Sequence, residues 1–305
     1  MENRTDFCIF IISHGRPNHI YTLKTLKKAG CTIPTYIVID NHDKTADEYF
    51  KKYRKQVFMF DKDKYAAMVD QYDNFNNLRS TTHARNACFD LAKDLGFEYF
   101  LVLDDDYTNF RFRLDGSMNH SKRGPSVLKN IDAIFYDTLK YFINSNFTSI
   151  CFAQGGDFLG LEANFYRKDG PKRKAMNSFF CSTNRRFWFV SRLNEDVNTY
   201  MTLGHRGNVF MTIPFVQLEQ KETQKTKGGM TEAYLNNGTY VKSFYTVMCR
   251  PDCTKISLMV GGRIHHLIDW GSAAPCIIEE RIKKALEEKR KEKDLQARTL
   301  FRGEI

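Results

Sequence analysis

The sequence predicts an α/β fold: a mostly parallel sheet flanked by helices, with a mixed second half. Three observations carry this. Residues 7–110 alternate short apolar runs with amphipathic stretches of helical period. That strand–helix–strand order leads to parallel strands with helices on the faces. Three of the runs end in polar residues, Ser13, Asp40 and Asp104, where such sheets bind ligands beyond the carboxyl ends of their strands.

The elements follow in order. Phe7–Ser13 reads as a buried strand, with a turn at Gly15-Arg16-Pro17-Asn18, and Tyr21–Ala29 as a helix closed by Gly30. Pro34–Asp40 is a second strand, Thr45–Lys55 a helix with Thr45 as its cap, and Gln56–Phe60 a third strand. Ser80–Leu95 is a helix stopped by Gly96, and Glu98–Leu103 the next strand. Beyond residue 110, Ser126–Phe142 reads as helix. Thr148–Ala153, Arg186–Val190, Val209–Gln217, Tyr240–Val247 and Ile256–Val260 read as strands, and Glu279–Lys293 as a charged helix with a solvated face. With no repeats or Pro/Ser-rich linkers, one domain is expected over 1–305. Its nucleotide-binding half would span 1–110 and its acceptor-shaping half 111–305.

The apolar content of 42% over 305 residues suits an ordered globular chain, and its apolar runs are too short to span a bilayer. The residues after Met1 are polar, unlike a signal peptide. The eight cysteines are mostly isolated in apolar runs and form no C-x-x-C pair. This suggests a reducing cytoplasm, with Cys249 and Cys253 structural. A net charge of +10 favours a polyanionic partner, nucleic acid first.

The chemistry begins at the strand Phe100–Leu103, which delivers Asp104, Asp105 and Asp106 in succession. Clustered carboxylates are relieved by a hard divalent cation, Mg²⁺ or Mn²⁺, which would bridge a diphosphate. The alternative is a solvated loop whose aspartates cap the next turn. In "GGRIHHLIDW" (261–270) either His265 or His266 would complete the metal shell, since neighbours in a strand face opposite ways, and Asp269 would orient it. In "SHGRP" (13–17), Ser13, His14 and Arg16 line a strand-to-helix turn suited to an anion or a base edge. Asp40 would accept hydrogen bonds from a ribose or base. Arg85 and Asn86, on a helix leading into the acidic strand, would reach a diphosphate or sugar, against the plainer reading of a surface salt bridge. Glu195-Asp196, in a polar turn, and Glu232, after Gly228-Gly229, are candidate general bases. Two basic segments, with Lys122 and Arg123 in one and Arg167, Lys168, Lys172, Arg173 and Lys174 in the other, would track a phosphate backbone.

Taken in order, several motifs resemble the TET/JBP-associated glycosyltransferases, found largely in tailed phages. They are Ser13-His14-Gly15-Arg16-Pro17, the strand ending at Asp40, Ala84-Arg85-Asn86-Ala87, Leu103-Asp104-Asp105-Asp106-Tyr107, Asn194-Glu195-Asp196 and His265-His266…Trp270…Pro275. The resemblance, over roughly 7–280, implies a GT-A-like, Rossmann-type fold. It implies a UDP-sugar donor used with Mn²⁺ or Mg²⁺. The acceptor it implies is 5-hydroxymethylcytosine in phage DNA, decorated with glucose or arabinose against nucleases. It further implies that Ser13, His14, Arg16, Asp40, Arg85, Asn86, Asp104 and Asp105 serve the donor. Asp104 would contact ribose or a metal-bound water, Asp106 would bind the metal, His265 would be the third ligand and Asp196 the base. Two other classes share this chemistry. A metal-dependent nuclease or nucleotidyltransferase would recruit Asp115 or Asp132 as a further carboxylate, and a non-catalytic DNA-binding module would need none.

Overall fold

Strand β1 (Phe7–Ile12) is buried along its whole length because both of its faces are covered. Its side chains alternate. Phe7, Ile9 and Ile11 enter one apolar cluster, and Cys8, Phe10 and Ile12 enter another on the opposite face. These are the two layers of the α/β sandwich. The computed structural model describes residues 4–113, 126–158, 173–221, 240–259, 262, 264–273 and 277–302.

The chain continues through α1 (Tyr21–Lys28), β2 (Thr35–Asp40), α2 (Ala46–Tyr53), β3 (Val57–Phe60), α3 (Lys62–Ala67), α4 (Thr82–Asp94) and β4 (Tyr99–Asp104). Then come β5 (Tyr107–Phe112), β6 (Ser126–Val127), α5 (Ile131–Ser145), β7 (Ser149–Gln154) and β8 (Phe179–Ser182). Last are α6 (Glu195–His205), β9 (Phe210–Gln220), α7 (Val241–Cys249), β10 (Thr254–Leu258), β11 (Ile264–Ile268), a single turn Trp270–Ala273 and α8 (Glu280–Arg302). One sheet runs in the order β3-β2-β1-β4-β8-β7-β9-β5-β6. Strands β1 to β4 pair in parallel, and β8 lies antiparallel beside β4. Helices α1, α2 and α5 cover the first cluster, and α3, α4 and α6 the second. The α/β class and the mixed second half are therefore both present. The parallel pairing of β1 with β2 and β4 puts Ser13, Asp40 and Asp104 at one edge of the sheet, since Ile12 lies opposite Asp104.

The structure departs from the sequence expectation in several places, mostly in the second half. Residues 240–247 are helical, because Val241, Phe244, Tyr245 and Met248 recur at helical spacing, with Ser243, Tyr245 and Thr246 buried. The helix expected from Ser126 begins only at Ile131, where the Asn130 side chain accepts the Ala133 N–H. Glu195-Asp196 is not in a turn but opens α6. Tyr107–Phe112 and Phe179–Ser182 add strands not anticipated.

The expected strand Arg186–Val190 is extended and alternates in burial, yet joins no sheet. Its backbone is satisfied by side chains instead. The Asn86 amide donates to the Phe189 carbonyl and accepts the Phe189 N–H, both at 2.9 Å, and Val190 N–H donates to Thr199 Oγ1 at 3.1 Å. Asn86, wholly buried, is thus a latch on this segment, out of reach of a nucleotide at the surface. Asn86→Ala leaves a buried N–H and a buried carbonyl unpaired and is expected to cost about 2–4 kcal/mol, read as a lowered urea midpoint with unchanged m-value.

Candidate active site

The pleat of β4 decides where the acidic run points. Phe100 and Val102 belong to the α4/α6 face, and Leu101 and Leu103 to the α1/α2 face. Asp104 continues the first set and meets Arg85 of α4, Nη2 to Oδ1 at 3.1 Å. Asp105 continues the second and meets Arg16, Nη1 to Oδ1 at 2.8 Å. The turn is bolted to α1. Thr22 Oγ1 donates to the Asp104 carbonyl at 2.5 Å and accepts the Tyr107 N–H at 2.9 Å, while Thr22 N–H reaches the Asp105 carbonyl.

On the Asp105 side the loop after β1 is held at every residue. Ser13 donates its hydroxyl proton to Asp105 Oδ2 at 2.6 Å. Tyr49 of α2 then donates to Ser13 Oγ at 2.7 Å and accepts the Arg16 N–H at 2.8 Å. Gly15, at φ +70°, turns its N–H onto Asp43 Oδ2, a conformation that a side chain would strain. Asp40 is fully engaged as well. Oδ2 bonds His14 Nδ1 at 2.7 Å, and Oδ1 takes the His42 N–H and Lys62 Nζ at 3.1 and 3.2 Å. Burial would raise this carboxyl, but His14 and Lys62 outweigh it and hold it at about 2. Hence Asp40 keeps no open oxygen for a ribose, and His14, partly exposed, is the group it presents.

On the Asp104 side one buried guanidinium serves two elements. Arg85 Nη2 also lies 3.3 Å from Glu195 Oε1, which accepts the Thr81 hydroxyl at 2.6 Å. Arg85 packs over the rings of Phe179 and Phe189. It is a fully buried counter-ion, not the surface salt bridge of the plainer reading. Asp196, next on α6, accepts the N–H of its neighbour Val197 and no other hydrogen bond among the described residues. Burial, and then Glu195, push its carboxyl to about 6. Burial raises Asp104 to about 6 against the pull of Arg85. Burial together with Asp104 and Asp105 raises Asp106 to about 7. Five carboxylates therefore face two guanidinium groups.

That surplus bears on a metal. Among the described residues Asp106 Oδ1 is buried with no hydrogen-bond partner, beside an Asp104 that shares its charge problem, and both are hard oxygen donors. These two residues fit a divalent cation, although among the described residues no three His, Cys, Asp or Glu side chains converge as a ligand set. His265, on β11, has Nδ1 against the His266 carbonyl at 3.0 Å. It is His266, half-buried, whose Nδ1 is buried with no hydrogen-bond partner among the described residues, and burial holds that ring neutral, at about 3. Asp269 does not orient either ring; it caps Gly271 and Ser272. Lys174 is ion-paired with Asp157, which takes it from the role of a phosphate-tracking side chain. Lys122, Arg123, Arg167, Lys168, Lys172 and Glu232 lie outside the described residues, as does Asp115; Arg173 is described and engaged. Asp132 sits far along the chain on α5, bonded to Thr32.

Sequence reasoning missed Thr22, Tyr49, Lys62, Thr81 and His83. Lys62 follows β3 at the sheet's carboxyl edge, so the edge rule would have found it. Thr22, Tyr49 and Thr81 carry no sequence signal, since each acts through a partner distant in the chain. His83, wholly buried near Asp40 and Lys62, has both ring nitrogens unpartnered and is held neutral by burial, at about 4.

Residues 7–229 match the family model of the TET-associated glycosyltransferases. No curated protein matches the chain. Among solved structures, the crystal structure of mannosyl-3-phosphoglycerate synthase from Rubrobacter xylanophilus is similar at 8% identity and a TM-score of 0.43, with 86% of each chain covered. That likeness says nothing of this chain's substrate.

Removing Arg85 tests the charge balance. Arg85→Met strands Asp104 and Glu195 without their cation and is expected to cost about 3–5 kcal/mol at pH 7.5. The loss should shrink at pH 5. Asp104, already raised by burial and raised further once Arg85 is gone, takes up a proton there, so stability declines as pH rises through its folded pKa. Urea titrations of both proteins at the two pH values measure this.

Proposed function

The chain belongs to the TET-associated glycosyltransferases, and from that premise we propose that it transfers a sugar, glucose or arabinose, from a UDP-linked donor to 5-hydroxymethylcytosine in phage DNA. The observation that carries the reading is Asp196. It is a buried carboxyl at the start of a helix, raised to about 6, and it follows Glu195, which shares Arg85 with the donor-side Asp104.

Each residue has a part. His14, oriented by Asp40, faces the donor's nucleoside from the β1 edge, and the pinned loop Ser13–Arg16 shapes that subsite. Asp104 and Asp106 would hold Mn²⁺ or Mg²⁺, with His265 or His266 as third ligand. When bound, such an ion offsets the charge that builds on a departing diphosphate. Arg85 fixes Glu195 and Asp104 relative to each other, so Glu195 is a positioning group. Asp196 takes the proton of the acceptor's hydroxymethyl oxygen as that oxygen attacks the anomeric carbon. A base near 6 is ionised at neutral pH and still basic enough to matter. The net charge of +10 suits a DNA acceptor. No helix among the described residues is long and apolar enough to cross a membrane.

The test is direct. The protein is incubated with UDP-glucose or UDP-arabinose, Mn²⁺ and hydroxymethylcytosine DNA, and the product is digested to nucleosides and weighed. A hexose or pentose increment, lost on chelation, is expected. Strand cleavage without sugar would instead assign a nuclease. Asp196→Asn should lower kcat by about 10²–10⁴-fold. In the native protein kcat/KM should rise as pH increases through about 6, because the base must be unprotonated.

A further inference from the structure

Helix α7 has two faces with different duties. The inner face grips the segment that ends in the carboxylate pair. Tyr245 OH accepts Arg192 Nη2 at 2.5 Å and donates to Asp73, and Thr246 Oγ1 accepts the Asn194 amide at 2.6 Å. Asn194 immediately precedes Glu195 and Asp196, and its φ of +58° is held by these bonds. The outer face carries Tyr240, just before the helix, then Phe244 and Met248, at i, i+4 and i+8. They are 48%, 43% and 58% exposed. The Tyr240 and Phe244 rings stand edge-to-face with centroids 6.2 Å apart, leaving aromatic surface toward solvent.

An outward aromatic stripe whose underside clamps a catalytic segment needs an occupant. We propose that Tyr240, Phe244 and Met248 form a stacking wedge that receives nucleobases of the acceptor DNA, unstacked beside the nucleotide presented to Asp196. The inference rests on the reading that the acceptor is DNA. Three features favour bases over other partners. Aromatic rings are the side chains on which bases stack regardless of sequence. The chain's excess of ten positive charges attracts a polyanion. A C5 substituent within a duplex is reached by a buried carboxyl most readily once its nucleotide leaves the stack, and wedging a neighbouring step is one way to bring that about.

The experiment uses the full chain and a duplex carrying one hydroxymethylcytosine flanked by 2-aminopurine. Binding is read by anisotropy and unstacking by fluorescence. The wild type should bind and brighten the reporter. A Tyr240→Ser/Phe244→Ser variant, both positions being exposed, should keep its melting temperature, lose about 10- to 100-fold in affinity and leave the reporter dark. Phe244→Trp should restore both signals. Equal binding and brightening by wild type and double variant would overturn the wedge, as would a wild-type dimer that the variant dissociates in sedimentation. Sugar transfer by the wild type is assayed separately. Stripe-dependent binding without transfer would keep the wedge and refute the glycosyltransfer reading. Transfer with stripe-independent binding would do the reverse.

Discussion

The two-residue repeat of a β-strand governs this site. Because successive side chains leave β4 on opposite faces, Asp104 and Asp105 never share a counter-ion. One is met by Arg85 from the α4 layer, the other by Arg16 from the loop above α1. That partition is what makes three adjacent carboxylates tolerable, and it leaves Asp106 Oδ1 with no hydrogen-bond partner among the described residues. Everything nearby serves the arrangement. Thr22 fixes the turn, Tyr49 and Ser13 hold the loop that carries Arg16, and Phe179 and Phe189 supply the apolar walls around Arg85. Burial first, and then the charge of neighbouring Glu195, give Asp196 its raised basicity.

Irregular backbone near the site is held by side chains where a sheet would otherwise do it. Residues 186–194 run extended, then turn through Ser191 and Asn194 at positive φ. They are clamped by Asn86 on one flank and by Asp73, Tyr245 and Thr246 on the other. Backbone bonds from Ser191 and Arg192 to Asp70 and Gln71 tie the loop before α4 to the same segment. The helix start that presents Glu195 and Asp196 is thus positioned by three separate stretches of chain.

The first half of the fold was legible because its strands are buried on both faces and its helices carry clear stops. Ser13, Asp40 and Asp104 were found together by the edge rule alone. What the residues then do was less legible. Asn86 and Asp40 are polar residues in the right place whose hydrogen-bonding groups are consumed internally, and only coordinates reveal that. The segments 186–190 and 240–247 were misread for a shared reason. Short runs rich in aromatic and β-branched residues look like strands whether their backbone partners are a neighbouring strand, a side-chain clamp or their own helix.

Strand β4 has β1 on one side and, on the other, β8, drawn from far later in the chain. Severing the polypeptide near residue 110 would strip that second neighbour away. The N-terminal fragment would carry Tyr99–Val102 as a raw hydrogen-bonding margin, flat and apolar, of the kind that recruits other strands into aggregates. The two halves of this chain are therefore poor candidates for exchange as modules between relatives, because the seam between them runs through the middle of a sheet.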